Sequence, residues 1–170
     1  TYSEFVDYLK QGKIEEVVRF TFPRQSEREG LCLSDYFLPV DSSRFDVVAF
    51  QVVTVGPRAD ELSNELNARG EYAQSLFVHG LGVSAAEGLA EWHHMRLRQE
   101  LGIEEARGKR YSFGYSACPD LADQAKLFAL LGPEKSIGVT LTSAYQLVPE
   151  ASTSAIVVHH PAATYYMVKV

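Results

Sequence analysis

Cysteine is scarce in this chain: its 170 residues include only Cys32 and Cys118. Two thiols can build neither a disulfide framework nor a four-ligand zinc site, so the expectation is two reduced thiols in a cytoplasmic protein. Basic residues are outnumbered, with 16 Lys and Arg against 22 Asp and Glu, for a formal net charge of −6. Phosphate-backbone binding needs clustered positive charge, so nucleic acid is not the expected partner. No run approaches the ~18 apolar residues of a membrane-spanning helix, and no signal-peptide pattern opens the chain. Missing too are Gly-x-Gly-x-x-Gly, a Walker sequence and His-Glu-x-x-His. His93-His94 and His159-His160 are adjacent pairs whose members diverge on a helix or a strand, so no metal site is expected. The chain starts at Thr1 rather than Met, which suggests a fragment or a processed chain.

What is present is globular composition, 46% hydrophobic and 22% charged, in a length suited to one domain spanning residues 1–170. Residues 2–20 read as a helical lead-in interrupted by Gly12, and 22–30 as a polar turn. Leu31 to Leu38 is a short strand candidate. Asp46 to Val55 is β-branched and nearly continuous, which predicts a buried central strand. Arg58 to His79 has apolar residues near helical spacing (Leu62, Leu66, Ala73, Leu76, Phe77), with Gly70 inside it. Gly80-Leu81-Gly82 is expected to break that helix. A further helix starts at Ser84, where Ser84-x-x-Glu87 has capping-box spacing. It carries Leu89, Trp92 and Met95 inward and stops near Gly102. A helix over 121–131 follows Pro119-Asp120. Val139 to Val148 and Ser154 to His160 read as strands, and Thr164 to Val170 as a return strand closing a C-terminal hairpin. This mixed order, without βαβ alternation, predicts an α+β fold with a twisted, largely antiparallel sheet and flanking helices.

The most informative stretch is Arg110-Tyr-Ser-Phe-Gly-Tyr-Ser-Ala-Cys-Pro-Asp120. Arg110 offers a planar fork of donors for a carboxylate or phosphate; its alternative is a surface arginine before a turn, and the residues alone leave both open. Tyr111, Phe113 and Tyr115 alternate, so an extended segment would point them to one side, with Phe113 reading best as core. Gly114 permits a positive φ or a close approach. Glu87 and Glu91 share a helix face and could serve proton transfer or hold a cation, although the capping box already accounts for Glu87. Cys118 has no paired base and reads as a packed thiol, so no catalytic residue is expected. Tyr165 and Tyr166 would point to opposite faces of a strand.

Arg110-x-x-x-Gly114-Tyr115-x-x-Cys118-Pro119 resembles the S-adenosylmethionine-binding motif of the activation domain of cobalamin-dependent methionine synthase. Leu31–Pro39, Phe50–Gly56, the Ala86-Glu87-Gly-Leu-Ala-Glu91 helix, and Pro149 to Tyr166 with its Tyr165-Tyr166 pair are similar to further segments of that domain. The resemblance covers roughly residue 14 to the C-terminus. It implies a domain that presents S-adenosylmethionine to oxidised cobalamin held by a partner domain. A flavodoxin or flavoprotein reductase would supply the electron for reductive methylation, within methionine biosynthesis. Arg110 would then pair with the ligand carboxylate. Tyr115, Tyr165 and Tyr166 would line the pocket, the backbone around Ser112 to Ala117, with Gly114 and Ala117 as site residues, would contact the adenosine, and Glu87 and Glu104 would match acidic positions nearby. An open groove is expected, because the methyl group must meet a cobalt held elsewhere. The family domain begins further upstream with another acidic contact residue, and some members carry a helical tail; neither segment is in this sequence. The modules for folate, homocysteine and cobalamin are not in it either, so the chain alone should not make methionine. The competing readings are a stand-alone S-adenosylmethionine-dependent enzyme, disfavoured by the missing Gly-rich loop and parallel sheet, and an interaction domain that has lost the ligand.

Overall fold

The computed structural model describes residues 16–27, 29–42, 44–103 and 107–168. Its organising element is a three-stranded antiparallel sheet of β1 (Ala49–Thr54), β2 (Lys109–Ser112) and β5 (Ser152–Val158), in the order β1-β5-β2. β5 is buried at six of its seven positions, as small and β-branched residues permit in a strand covered on both faces. It is the central strand. The β-branched run at 46–55 yields an edge strand instead, and only from Ala49. Upstream, the Asp46 carboxylate accepts from the Leu38 and Val47 amides at 2.8 Å and faces His159 Nε2 at 3.0 Å. Those contacts hold the chain off the ladder.

One face of the sheet is covered by α2 (Tyr72–Leu101), which packs on β1 and β5. Its buried residues are Gly82, Ala86, Ala90, His94 and Arg98, a stripe at four-residue spacing. Small side chains let the helix axis come close to the sheet. The large apolar residues expected to face inward, Trp92 and Met95, are instead exposed, as are Leu76 and Phe77. The expected helix breaks are displaced for the same reason. Gly80 and Gly82 lie inside α2, where Gly82 is needed for packing, and the chain breaks at Gly70, whose φ of +78° ends α1 (Arg58–Ala68). Ser84 and Glu87 are therefore mid-helix, and no capping box forms. α1 and α2 are joined by reciprocal bonds between Ser63 and Ser75, the two hydroxyls 2.9 Å apart.

The other face carries the main core: Leu33, Tyr36, Tyr111, Phe113, Leu127, Ile156 and Val158, with Phe20 and Phe22 packed against it. Leu127 belongs to α3 (Asp123–Leu131), which is followed by the single-turn α4 (Pro133–Ser136). Gln124 fastens α3 to its neighbours, accepting from Ser154 Oγ and donating to the Tyr145 carbonyl, both at 2.6 Å.

Four other expectations change. The segment at 31–38 is not a strand but contains a 3-10 helix, Leu33–Tyr36, whose ends are both buried, in keeping with three residues per turn. The segment at 139–148 splits into β3 (Thr140–Leu141) and β4 (Leu147–Val148), a small hairpin with Tyr145 at φ 61°. Residues 16–20 are not helical, and 1–15 lie outside the described residues. The C-terminal hairpin does not form, because β1 and β2 already occupy both edges of β5. Residues 164–168 are held by side chains instead: Tyr111 Oη donates to the Thr164 carbonyl at 2.6 Å and Gln25 Nε2 to that of Met167 at 2.7 Å.

Candidate functional site

β2 delivers the arginine-bearing stretch to the sheet edge, with Arg110 opposite Val157 and Ser112 opposite Ala155 on β5. Tyr111 and Phe113 turn into the core. At Gly114, φ is +87° and the chain reverses. Gly114 N donates to the Cys118 carbonyl and Cys118 N to the Tyr115 carbonyl, each at 2.9 Å, closing a tight loop. A Cβ on Gly114 would sit 3.1 Å from Leu121 Cδ2, so both conformation and space favour glycine there. Because of that reversal, Tyr115 does not follow Tyr111 and Phe113 inward. It stands 73% exposed on the surface.

A cavity of about 390 Å³ opens beside this loop. Glu87 of α2, Arg110, Tyr111 and Ser112 of β2, and Tyr115, Ser116 and Ala117 of the loop line it on one side. Tyr165, Tyr166 and Met167 close the other. It is a surface groove, since Tyr115, Tyr165 and Met167 on its rim are exposed. Ser116 Oγ lies 3.2 Å from Met167 Sδ, bridging the two walls. Tyr111 is packed edge-on to Tyr165, ring centroids 5.6 Å apart, and lies 6.3 Å from Tyr166. Tyr165 and Tyr166 both line the cavity rather than pointing apart, because their segment is not a strand.

Arg110 is the cation of this groove, and its side chain is only 13% exposed. Its Nη2 lies 3.5 Å from Glu87 Oε2 and its Nε 3.4 Å from Glu91 Oε2. Glu91 is held in turn by Arg98 Nη1 at 3.2 Å. Partial burial works against ionisation of Glu91, but the Arg98 hydrogen bond and the charge of Arg110 hold its carboxyl below the usual range. Two buried polar atoms at the groove lack hydrogen bonds, Arg110 Nε and Tyr166 Oη. Burial pushes both Tyr111 and Tyr166 well above the ordinary phenol range, so both remain neutral donors. Burial also pushes the Cys118 thiol up to about 12. A thiol so protonated is a packing group, not a nucleophile.

Of the residues singled out from sequence, Glu87, Arg110, Tyr115, Ala117, Tyr165 and Tyr166 come together around this cavity. Gly114 does not line it; it shapes the loop and borders a neighbouring groove of about 580 Å³ with Gln124, Thr142 and Gln146. Glu104 lies outside the described residues. Met167 was not anticipated, although its place directly after Tyr165-Tyr166 was a signal. No group of three or more His, Cys, Asp or Glu suited to a metal ion occurs among the described residues. No helix among them is long and apolar enough to cross a membrane.

Comparisons with known proteins agree on one family. Residues 6–170 match the model for the activation domain of vitamin B12 dependent methionine synthase. The chain is 44% identical over 173 residues to methionine synthase of Mycobacterium tuberculosis (strain ATCC 25618 / H37Rv), covering 88% of this chain and 14% of that protein. It is 42% identical over 177 residues to methionine synthase of Mycobacterium leprae (strain TN), covering 91% of this chain and 15% of that protein. The chain thus spans about one seventh of the length of these relatives. The crystal structure of the MetH reactivation domain bound to AdoHcy superposes with a TM-score of 0.82 at 29% identity, covering 92% of this chain and 54% of that one. With a match over nearly its whole length, the chain belongs to the vitamin B12-dependent methionine synthase activation domain family.

Proposed function

We propose that this chain is a single activation module that binds S-adenosylmethionine in the Arg110 groove. As part of a methionine synthase, it would present that ligand to oxidised cobalamin held by another module. When bound, the ligand supplies an electrophilic methyl group on a positive sulfonium; it also carries a carboxylate and a flat adenine.

The groove suits each part. Arg110 offers charge-assisted hydrogen bonds to the carboxylate. The tyrosine rings offer flat faces to the adenine, and Glu87 offers negative charge to the cationic end. The observation that carries the reading is the arginine itself: a mostly buried guanidinium lining an open aromatic groove, with Glu87 at its Nη2 and Glu91 at its Nε. Tyr166 Oη, which lacks a hydrogen bond, is a further polar group beside the groove. The exposed rim leaves room for another module to approach the bound ligand. A flavodoxin or flavoprotein reductase would be the electron source. The two buried, free thiols suit a cytoplasmic setting.

Titration calorimetry with S-adenosylmethionine and S-adenosylhomocysteine tests this. Both should bind saturably. Arg110→Ala should weaken binding by about 10–100-fold, the range for losing hydrogen bonds to a charged group. Wild-type affinity in Arg110→Ala would remove Arg110 from the site.

A further inference from the structure

Arg110 faces two carboxylates, and they are not equivalent. Glu87 is part of the cavity wall and Glu91 is not. Glu87 meets the terminal Nη2 of Arg110, whereas Glu91 meets Nε, the edge nearer the backbone. Among the contacts described, Glu87 has no second cation. Glu91 is fixed from behind: its Oε1 accepts from Arg98 Nη1 at 3.2 Å, while its Oε2 faces Arg110.

Arg98 is itself held in place. Its side chain is 9% exposed, its Nε donates to the Arg107 carbonyl at 2.9 Å, and its Nη2 lies 3.1 Å from His94 Nδ1. Arg107 Nε in turn donates to the His159 carbonyl at 2.8 Å, just past β5. The line from Arg98 through Glu91 to Arg110 therefore runs from a buried anchor to the groove.

From this asymmetry we infer that Glu91 is the positioning residue of the groove: it fixes the guanidinium by its Nε edge, so that the Nη edge can exchange Glu87 for a ligand carboxylate. This rests on the reading of the groove as an S-adenosyl ligand site. Glu91 never touches the ligand. Its effect passes through Arg110, and so is confined to ligands that bear the carboxylate. A planar fork gains from such fixing because one edge can be held while the other remains free.

The test compares S-adenosylhomocysteine with 5′-methylthioadenosine, which keeps the adenosine and thioether but lacks the amino-acid carboxylate. Glu91→Gln preserves shape and removes charge. It should weaken S-adenosylhomocysteine about tenfold and leave 5′-methylthioadenosine within about twofold of wild type. Unchanged affinity for S-adenosylhomocysteine, or an equal loss for both ligands, would overturn the positioning role while leaving the binding site in place. Failure of the wild-type chain to bind S-adenosylhomocysteine at all would overturn both readings. Should Glu91→Gln unfold, Arg98→Lys, which releases Glu91 from behind, must show the same carboxylate-selective loss.

Discussion

Gly82 of α2 faces Ala59 of α1 so closely that a Cβ built on the glycine would lie 2.9 Å from the Ala59 Cβ and 3.2 Å from that of Ala151. Both neighbours are short side chains fixed directly to backbone, so neither can swing aside. Gly82→Val should destabilise the fold by about 1–3 kcal/mol, the usual cost of overpacking a core. Gly88, on the exposed side of the same helix, has nothing within 4 Å of its built Cβ. Gly88→Ala should therefore stabilise by about 0.5–1 kcal/mol through helix propensity alone. Urea unfolding of the two variants should give opposite signs. The same sign in both would mean that Gly82 does not set how closely α2 approaches Ala59 and Ala151.

Arg110→Lys keeps the charge and loses the fork. A lysine ammonium cannot hold Glu91 with one edge and a ligand carboxylate with another. S-adenosylhomocysteine affinity should fall about tenfold or more, and calorimetry would show it. Full retention would mean that charge alone suffices in the groove.

His94 is buried between Arg98 and Glu91, and burial, followed by the charge of Arg98, lowers its pKa to about 4 from 6.5. Its contribution to stability is fully present above pH 6.5 and is lost as pH falls through 4, because the unfolded imidazole takes up the proton first. Urea unfolding between pH 7 and 4 should show this loss. The slope should flatten in His94→Gln, which cannot titrate there. A slope shared by wild type and variant would assign the acid sensitivity to other groups.

Cys118 predicts the opposite limb. With its thiol raised from 9.0 to about 12 by burial, its contribution is complete below pH 9 and is lost as pH rises toward 12. At pH 8 the native chain should react slowly with a thiol reagent, because Cys32 and Cys118 are both buried. Denaturant should release both. Rapid labelling of native Cys118 would contradict its packing role.

What the sequence revealed depended on how local each signal was. The Arg110–Cys118 loop is set by neighbours within nine positions, so the positive φ at Gly114 could be read directly, whereas the simple alternation of Tyr111, Phe113 and Tyr115 missed the reversal that leaves Tyr115 exposed. The α2 terminus at Gly102 was similarly local. The identity of the central strand was not, since β5 is central only because residues near 50 and near 110 both pair with it. The inward face of α2 was misread because the seat is made of glycine and alanine, and hydrophobic spacing gives weight to large residues. Propensity places Tyr165 and Tyr166 on a strand, whereas the residues flanking them, Thr164 and Met167, are held through their carbonyls by the side chains of Tyr111 and Gln25, partners that no local pattern announces. Glu91 reads in sequence only as a carboxylate sharing a helix face with Glu87, and the third dimension places it outside the groove wall, with Arg98 behind it.

The placement of β5 between its two partners governs the order in which this chain can acquire its structure. Ala49 meets Val157, and Arg110 meets that same residue from the other side. While the chain emerges from a ribosome, β1 and β2 remain edges without a ladder until Ser152–Val158 is available. Closing such distant contacts is slow, because loop entropy is spent before any pairing is gained. The α1–α2 hairpin, built from near neighbours, can form early and wait. A chain interrupted between residues 136 and 152 would contain β1, β2 and helices α1 to α4 yet lack the strand that pairs both edges, leaving them open to other chains, a hazard for aggregation. Truncations that reach back into residues 152–158 should thus be far more damaging than their length suggests, since they remove the strand on which both halves of the sheet converge.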